Sequence, residues 1–298
     1  MTAALCDPEV LVRQADRKLK GGFFSCLAGT RRFEEAAELY GQAANGFKLT
    51  KRWQEAANCY IQCVHCAQKV GDVGDEARNI VEAGNALKKI STTLALEQFE
   101  QAVGIYAAQG HFQQSGKLLL NIAELCENER LDSESTRAWY ERAAEMFELD
   151  DHGKTNLSKC RVKVAEYAAM AGDTQEAIVI FEAEGEKALQ HSLSQFGAKE
   201  HFFRAGILRL QQGDSVDLGL AIERYIGIDP RFAGSREGEF LVGLVDRYNE
   251  GDVEGLAAEI DEYESTNQLD AWKTQILLKV KASMQDRATC AVESVDLT

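Results

Sequence analysis

The stretch YGQAANGF, residues 40–47, decides the fold. It reads Tyr40-x-x-Ala43-x-x-x-Phe47, a large, small and large side chain at i, i+3 and i+7. That spacing sets all three on one face of a helix. Twenty residues on, the pattern returns as Tyr60, Cys63 and Ala67, and after twenty more as Ile80, Ala83 and Leu87. Phe99, Ala102 and Tyr106 continue it, then Tyr140, Ala143 and Phe147, then Phe181. The steps from Tyr60 to Phe99, Tyr140 and Phe181 are 39, 41 and 41 residues. A half-step of twenty is one helix and a short turn, so the full period is a helical hairpin. The small middle residue lets neighbouring helices approach closely. Turn signals fall between the triplets at Gly71-Asp72, Gly110-His111, Asp150 to Gly153 and Gly172-Asp173.

These features predict an all-α protein, a tetratricopeptide-like α-solenoid of stacked hairpins. The period exceeds the roughly 34 residues of the standard repeat, so longer helices are expected. Beyond residue 200 the pattern changes. Residues 200–226 still read as helix, interrupted at Gly213-Asp214, and Asp229-Pro230 marks a turn. Segments 235–250, 252–265 and 269–285 read as shorter helices that close the open end of the stack. The expected organisation is a solenoid over 1–226, a helical bundle cap over 227–285 and a flexible tail over 286–298.

Composition agrees. Only two prolines occur in 298 residues, Pro8 and Pro230, and 45% of the chain is hydrophobic. So few helix breakers favour helix throughout. With 33 basic and 48 acidic residues the net charge is −15. That argues against nucleic acid as a partner, because phosphate contacts supply non-specific affinity. Residues 1–20 lack a charged start followed by an apolar run, and no window approaches the ~20 apolar residues of a membrane span. The eight cysteines are expected to be reduced thiols of a cytoplasmic protein.

Candidate chemistry is sparse. Cys59, Cys63, His65 and Cys66 could suggest a metal, and a metalloprotein or redox enzyme is one alternative. But one helix rarely wraps a metal alone, no second cluster follows, and the cysteines coincide with the apolar pattern. Packing is the expectation, with no metal or cofactor. The histidines at 65, 111, 152, 191 and 201 form no motif with carboxylates. Asp150, Asp151 and His152 read as a solvated turn. No phosphate loop or nucleophile elbow is present. The chain reads as a scaffold without catalytic residues. A generic peptide-binding repeat module is the plainest alternative.

Three features ask for partners. Basic residues recur through the repeats: Lys48, Lys51 and Arg52; Lys88 and Lys89; Lys117; Lys154, Lys159, Arg161 and Lys163. Aligned, they would form a positive stripe for an elongated acidic partner. Acidic residues gather late in the chain: Asp246, Glu250, Asp252, Glu254, Glu259, Asp261, Glu262 and Glu264. The glycine-rich stretch GGFFSCLAGT, residues 21–30, sets Phe23, Phe24 and Leu27 on a loop between Arg17, Lys18 and Lys20 and Arg31 and Arg32.

The chain resembles the soluble NSF attachment protein family, alpha type. The resemblance is carried by FFSCLAG (23–29), FEEAAELYGQAANGFKL (33–49), VEAGNALKK (81–89), IAELCENE (122–129), SKCRVKVAEYAA (158–169), IDPRFAGSRE (228–237), QLDAWKTQILLKVK (268–281) and DLT (296–298). It implies a non-catalytic adaptor that lies along the four-helix SNARE complex, formed with syntaxin-type SNAREs. Such an adaptor recruits the hexameric AAA+ ATPase NSF to pull that complex apart. By position, Lys89, Lys117, Lys159 and Lys163 match residues placed against the SNARE surface. His111 stands where the alpha type has arginine, and a neutral imidazole would weaken that contact. Asp214, Asp246 and Glu250 match the NSF-facing end, with Asn249 replacing a glutamate. Leu297 matches a leucine that stimulates ATP hydrolysis, although the tail around it is less acidic than the family's. Phe23, Phe24 and Leu27 match an apolar loop that touches membranes, which implies peripheral association from the cytoplasm.

Overall fold

The computed structural model describes residues 7–20, 29–150 and 153–295, with side chains through Arg287. Among the described residues there are fourteen α-helices, two short 3-10 turns (Gln195–Gly197 and Pro230–Phe232) and no strand. Two compact units emerge, Met1–Leu157 and Ser158–Thr298. The boundary expected near 226, where the repeat weakens, falls inside the second unit.

The first unit contains α1 (Pro8–Lys20), α2 (Arg31–Leu49), α3 (Trp53–Val70), α4 (Val73–Leu87), α5 (Thr92–Ala108), α6 (Phe112–Asn128), α7 (Ser133–Glu148) and the start of α8 (Lys154–Ala171). Each helix from α1 to α6 packs on the next. Turns of a few residues force successive helices to run antiparallel. Helices two apart therefore lie side by side in one of two layers. Ion pairs tie them within a layer: Lys48 of α2 to Glu82 of α4 at 2.8 Å, and Arg142 of α7 to Glu100 of α5 at 3.1 Å.

The aromatic triplets build this core. Tyr40, Ala43 and Phe47, Tyr60, Cys63 and Ala67, and Tyr140, Ala143 and Phe147 are all buried. Each leading tyrosine buries its ring and donates its hydroxyl to an acceptor on the preceding helix. Tyr40 donates to Asp16 at 2.5 Å, Tyr60 to Asn45 at 3.0 Å and Tyr140 to Glu127 at 2.6 Å. A buried ring with a satisfied hydroxyl adds apolar burial without an orphaned polar group. Small residues permit the close approach. A Cβ on Gly84 of α4 would stand 2.6 Å from Phe99 Cε1 on α5. Aspartates start the helices: Asp72 accepts from the Asp75 amide and Asp132 from the Ser135 amide, each at 2.8 Å.

The second unit holds the rest of α8, then α9 (Thr174–Leu189), α10 (Ala198–Gln211), α11 (Ser215–Ile228), α12 (Arg236–Glu250), α13 (Val253–Thr266) and α14 (Ala271–Val295). Helix α14 continues as far as Val295, through residues read from the sequence as the start of a flexible tail. The core is aromatic: Phe202 stacks on Tyr225 with ring centres 4.6 Å apart, and Phe240 on Tyr263 at 4.2 Å. Charge is built into it. Glu182 of α9 receives Arg209 of α10 at 2.8 Å, and also Arg224 and the Tyr225 hydroxyl of α11. Buried Glu184 takes Arg161 at 3.2 Å and Lys187 at 2.9 Å. Each buried carboxylate is met by cations, which its desolvation requires.

Candidate partner-binding surfaces

The structure sorts the basic residues into two kinds. Lys48, Arg52 and Arg161, read from sequence as members of the stripe, are engaged within the fold. Lys48 bonds Glu82, Arg52 bonds Glu9 at 2.9 Å and Glu55 at 2.8 Å, and Arg161 bonds Glu184. Apart from Glu55, three residues from Arg52, their partners lie far away in sequence, so spacing gave no warning. Lys89, Lys117 and Lys159 are exposed, and Lys163 is half-buried in an ion pair with Glu166 at 3.1 Å.

Within the first unit these residues do not form one cluster. Lys89 lies in the α4–α5 turn and His111 in the α5–α6 turn, at opposite ends of α5. Seventeen helical residues separate those ends by about 25 Å. His111 is exposed and precedes α6, its ring 6.4 Å from that of Tyr106. Lys117 follows in the second turn of α6, where Gln113 accepts from it at 3.3 Å. Thus His111 and Lys117 belong together and Lys89 stands on the other edge. That other edge also carries Lys51 and Arg130, at α2–α3 and α6–α7. Both have positive φ, 59° and 52°. A side-chain-bearing residue there costs roughly 1–2 kcal/mol. The equivalent turns on the opposite edge use Gly71 and Gly110.

Lys159 and Lys163, in the second unit, are four residues apart on α8 and so share a face.

The acidic end is assembled from separate segments. Asp214 is exposed and starts α11, accepting from the Asp217 amide at 2.8 Å. The adjacent Gly213 lies against the last turn of α12 and against α14. A Cβ there would meet Arg287 Nη2 at 2.4 Å and the Tyr248 hydroxyl at 3.1 Å. Arg287 in turn donates to that hydroxyl. Asp246 and Glu250 flank Tyr248 on α12 and are exposed, with Glu250 accepting from Arg247 at 3.2 Å. Asp214, Asp246 and Glu250 therefore occupy one end of the unit. Asp252, which starts α13, joins them. Helix α14 carries the chain toward this end. Leu297 lies outside the described residues, as do Phe23, Phe24 and Leu27.

Sequence reasoning missed two residues. Leu193 is 97% exposed and Phe196 68% exposed, in the connection between α9 and α10. Arg231 stacks over the Phe196 ring at 5.2 Å and donates to Gln195 at 3.2 Å. Isolated apolar residues in a polar loop carry no periodic signal; only their exposure reveals them.

The cysteines pack as the repeat pattern implied. Cys59, Cys63 and Cys66 are buried, and Cys63 donates to the Ala37 carbonyl at 3.3 Å. Burial, with nearby carboxylates, pushes the Cys59 thiol up to about 11. Burial, with the neighbouring cysteines, pushes Cys63 up to about 12. Thiols held this far above neutrality are poor nucleophiles. Among the described residues no group of His, Cys, Asp and Glu could hold a metal ion, and no helix is long and apolar enough to cross a membrane.

Comparison with known proteins places this architecture. The family model described as soluble NSF attachment protein, SNAP, matches residues 6–285. The alpha-soluble NSF attachment protein of Vitis vinifera is 35% identical, over 97% of this chain and 97% of its own. The human alpha-soluble NSF attachment protein is 34% identical, over 92% and 94%. That of Saccharomyces cerevisiae is 30% identical, over 95% and 98%. With a match that runs nearly end to end over a fold of stacked helical hairpins, the chain belongs to the soluble NSF attachment protein family.

Proposed function

We propose that the chain is an adaptor for SNARE disassembly in vesicle trafficking and membrane fusion. Its exposed lysines on α6 and α8, with Lys89, meet the acidic surface of a SNARE four-helix complex. Its acidic end recruits and stimulates the NSF hexamer. The segment over residues 21–30, through Phe23, Phe24 and Leu27, holds it peripherally on the membrane from the cytoplasmic side. The family relationship supports the adaptor role, as do relatives whose names specify NSF attachment and vesicular fusion. What supports this assignment of ends is that exposed Asp214 caps α11 beside the last turns of α12, which carry exposed Asp246 and Glu250, while exposed lysines occupy other helices. Opposite charges on separate surfaces suit a bridge between an acidic rod and a basic motor domain.

The test is charge reversal at exposed lysines. Lys117 and Lys159 are both exposed, so the thermal midpoint of the Lys117→Glu and Lys159→Glu variant should stay near the parent's. Affinity for assembled SNARE complex should fall at least tenfold at low salt, with the difference shrinking as ionic strength rises. Unchanged affinity would remove these lysines from the interface.

A further inference from the structure

We propose that an apolar strip on the outer face of α9 and α11, formed by Val179, Val216 and Leu220, docks against the same basic ATPase surface that the acidic end engages. This rests on the reading that the acidic end recruits NSF, and it adds a contact of different chemistry beside it.

Val216 and Leu220 are one helical turn apart on α11 and are 73% and 62% exposed; Val179 on α9 is 56% exposed. Helix α10 reverses the chain between α9 and α11, so those two helices run in the same direction. The Glu182–Arg224 ion pair joins them. Val179 stands three residues before Glu182 and Leu220 four before Arg224, which sets the two apolar side chains at the same level, one turn from the pair. Gly219 beside them has no heavy atom within 4 Å of where a Cβ would sit. A single exposed leucine means little, but three apolar side chains grouped across two helices form a patch.

The rim identifies the partner's chemistry. Glu186, Asp214 and Glu223 are exposed on the same two helices as the strip or at the start of one. The nearby cations are occupied: Arg209 and Arg224 by Glu182, and Lys187 by Glu184. The patch therefore presents an apolar centre within negative charge, matched by an apolar contact within a basic surface. It is also continuous with the acidic end, because Asp214 is the cap of the helix that carries Val216, two residues away. Exposed charge pairs are screened over about 8 Å at physiological salt. A contact made by charge alone would fade with salt, whereas an apolar strip supplies a part that does not. The charges would speed encounter and the strip would slow release.

The experiment uses the full chain bound to assembled SNARE complex and measures NSF hexamer binding at low and at elevated salt. Val216→Ser with Leu220→Ser should weaken binding about tenfold at both salt concentrations, with SNARE binding and thermal midpoint unchanged. Val179→Ser on the neighbouring helix should give a smaller loss of the same salt-independent kind. Asp214→Lys with Asp246→Lys should weaken binding mainly at low salt. Parental affinity in the valine and leucine variants, alongside a loss in the aspartate variant, overturns the strip and leaves the adaptor reading standing. If the parent chain brings no NSF to the SNARE complex, the adaptor reading falls and the strip with it.

Discussion

Two glycines on adjacent helices give opposite expectations for the same substitution. Gly84 sits on α4 against the buried Phe99 ring. An added Cβ would lie 2.6 Å from Cε1, 2.8 Å from Cδ1 and 3.2 Å from Cζ. Real Cβ atoms essentially never approach a neighbour closer than 3.0 Å, so ring and helix must separate by several tenths of an ångström. Phe99 is completely buried, so the ring cannot swing out into solvent. Overpacking of this kind costs about 1–3 kcal/mol. Alanine also favours helix over glycine by about 0.8–1 kcal/mol, which offsets part of that. Gly104, on α5, has no heavy atom within 4 Å of its missing Cβ. There only the helix preference acts, and Gly104→Ala should be stabilising. The propensity gain is common to both, so the difference between the variants isolates the steric cost, about 1–3 kcal/mol. Urea unfolding of the full chain, followed by far-ultraviolet circular dichroism, measures it. Gly84→Ala should unfold at lower urea than Gly104→Ala with a similar slope. If Gly84→Ala matched or exceeded Gly104→Ala, close hairpin packing through a small residue would not be what holds α4 on α5.

Acid should weaken the second unit through Glu182 and Glu184. Burial alone would raise both carboxyls. Hydrogen bonds from Tyr225 and Arg209 to Glu182, and from Ser158 and Lys187 to Glu184, outweigh it and hold both below the ordinary 4.5. The unfolded chain then binds these protons first. The stability they provide is complete above about 4.5 and is lost as pH falls through the lowered folded values. Unfolding midpoints between pH 7 and pH 3 should show this decline, and Glu184→Gln should flatten it. A Glu184→Gln profile as steep as the parent's would contradict that assignment. Phe23→Ser with Phe24→Ser should leave helix content and SNARE binding intact while lowering flotation with anionic liposomes severalfold. Full flotation by that variant would end the membrane role for residues 21–30.

The repeating elements were legible because they are local. An aromatic, a small residue and a second large apolar residue at i, i+3 and i+7 define a helix face without knowledge of what it packs against. Cys63 was readable as a small core residue because it occupies the place of Ala43 and Ala143. The turns at Gly71-Asp72 and Gly213-Asp214 were visible for the same reason, since a glycine followed by a capping aspartate breaks a helix locally. What escaped was set by distance along the chain. Arg161 and Glu184 are 23 residues apart, Lys48 and Glu82 34, and Arg52 and Glu9 43. A basic residue with such a partner looks identical in sequence to one facing solvent. The acidic end was readable as a list of residues, but not as a place. Only the packing of Gly213 against Tyr248 and Arg287 sets Asp214 at the same end of the unit as the last turns of α12, which carry Asp246 and Glu250. The strip of Val179, Val216 and Leu220 was invisible because exposed valines and leucines obey the same periodicities as buried ones.

The adaptor reading stands or falls on a reconstitution with assembled SNARE complex, NSF, ATP and magnesium. Disassembly is followed with this chain, with the Asp214→Lys and Asp246→Lys variant, and without either. Disassembly that depends on the chain and drops sharply with the charge-reversed acidic end is the predicted result. An intact SNARE complex in the presence of the parent chain, NSF and ATP would contradict it.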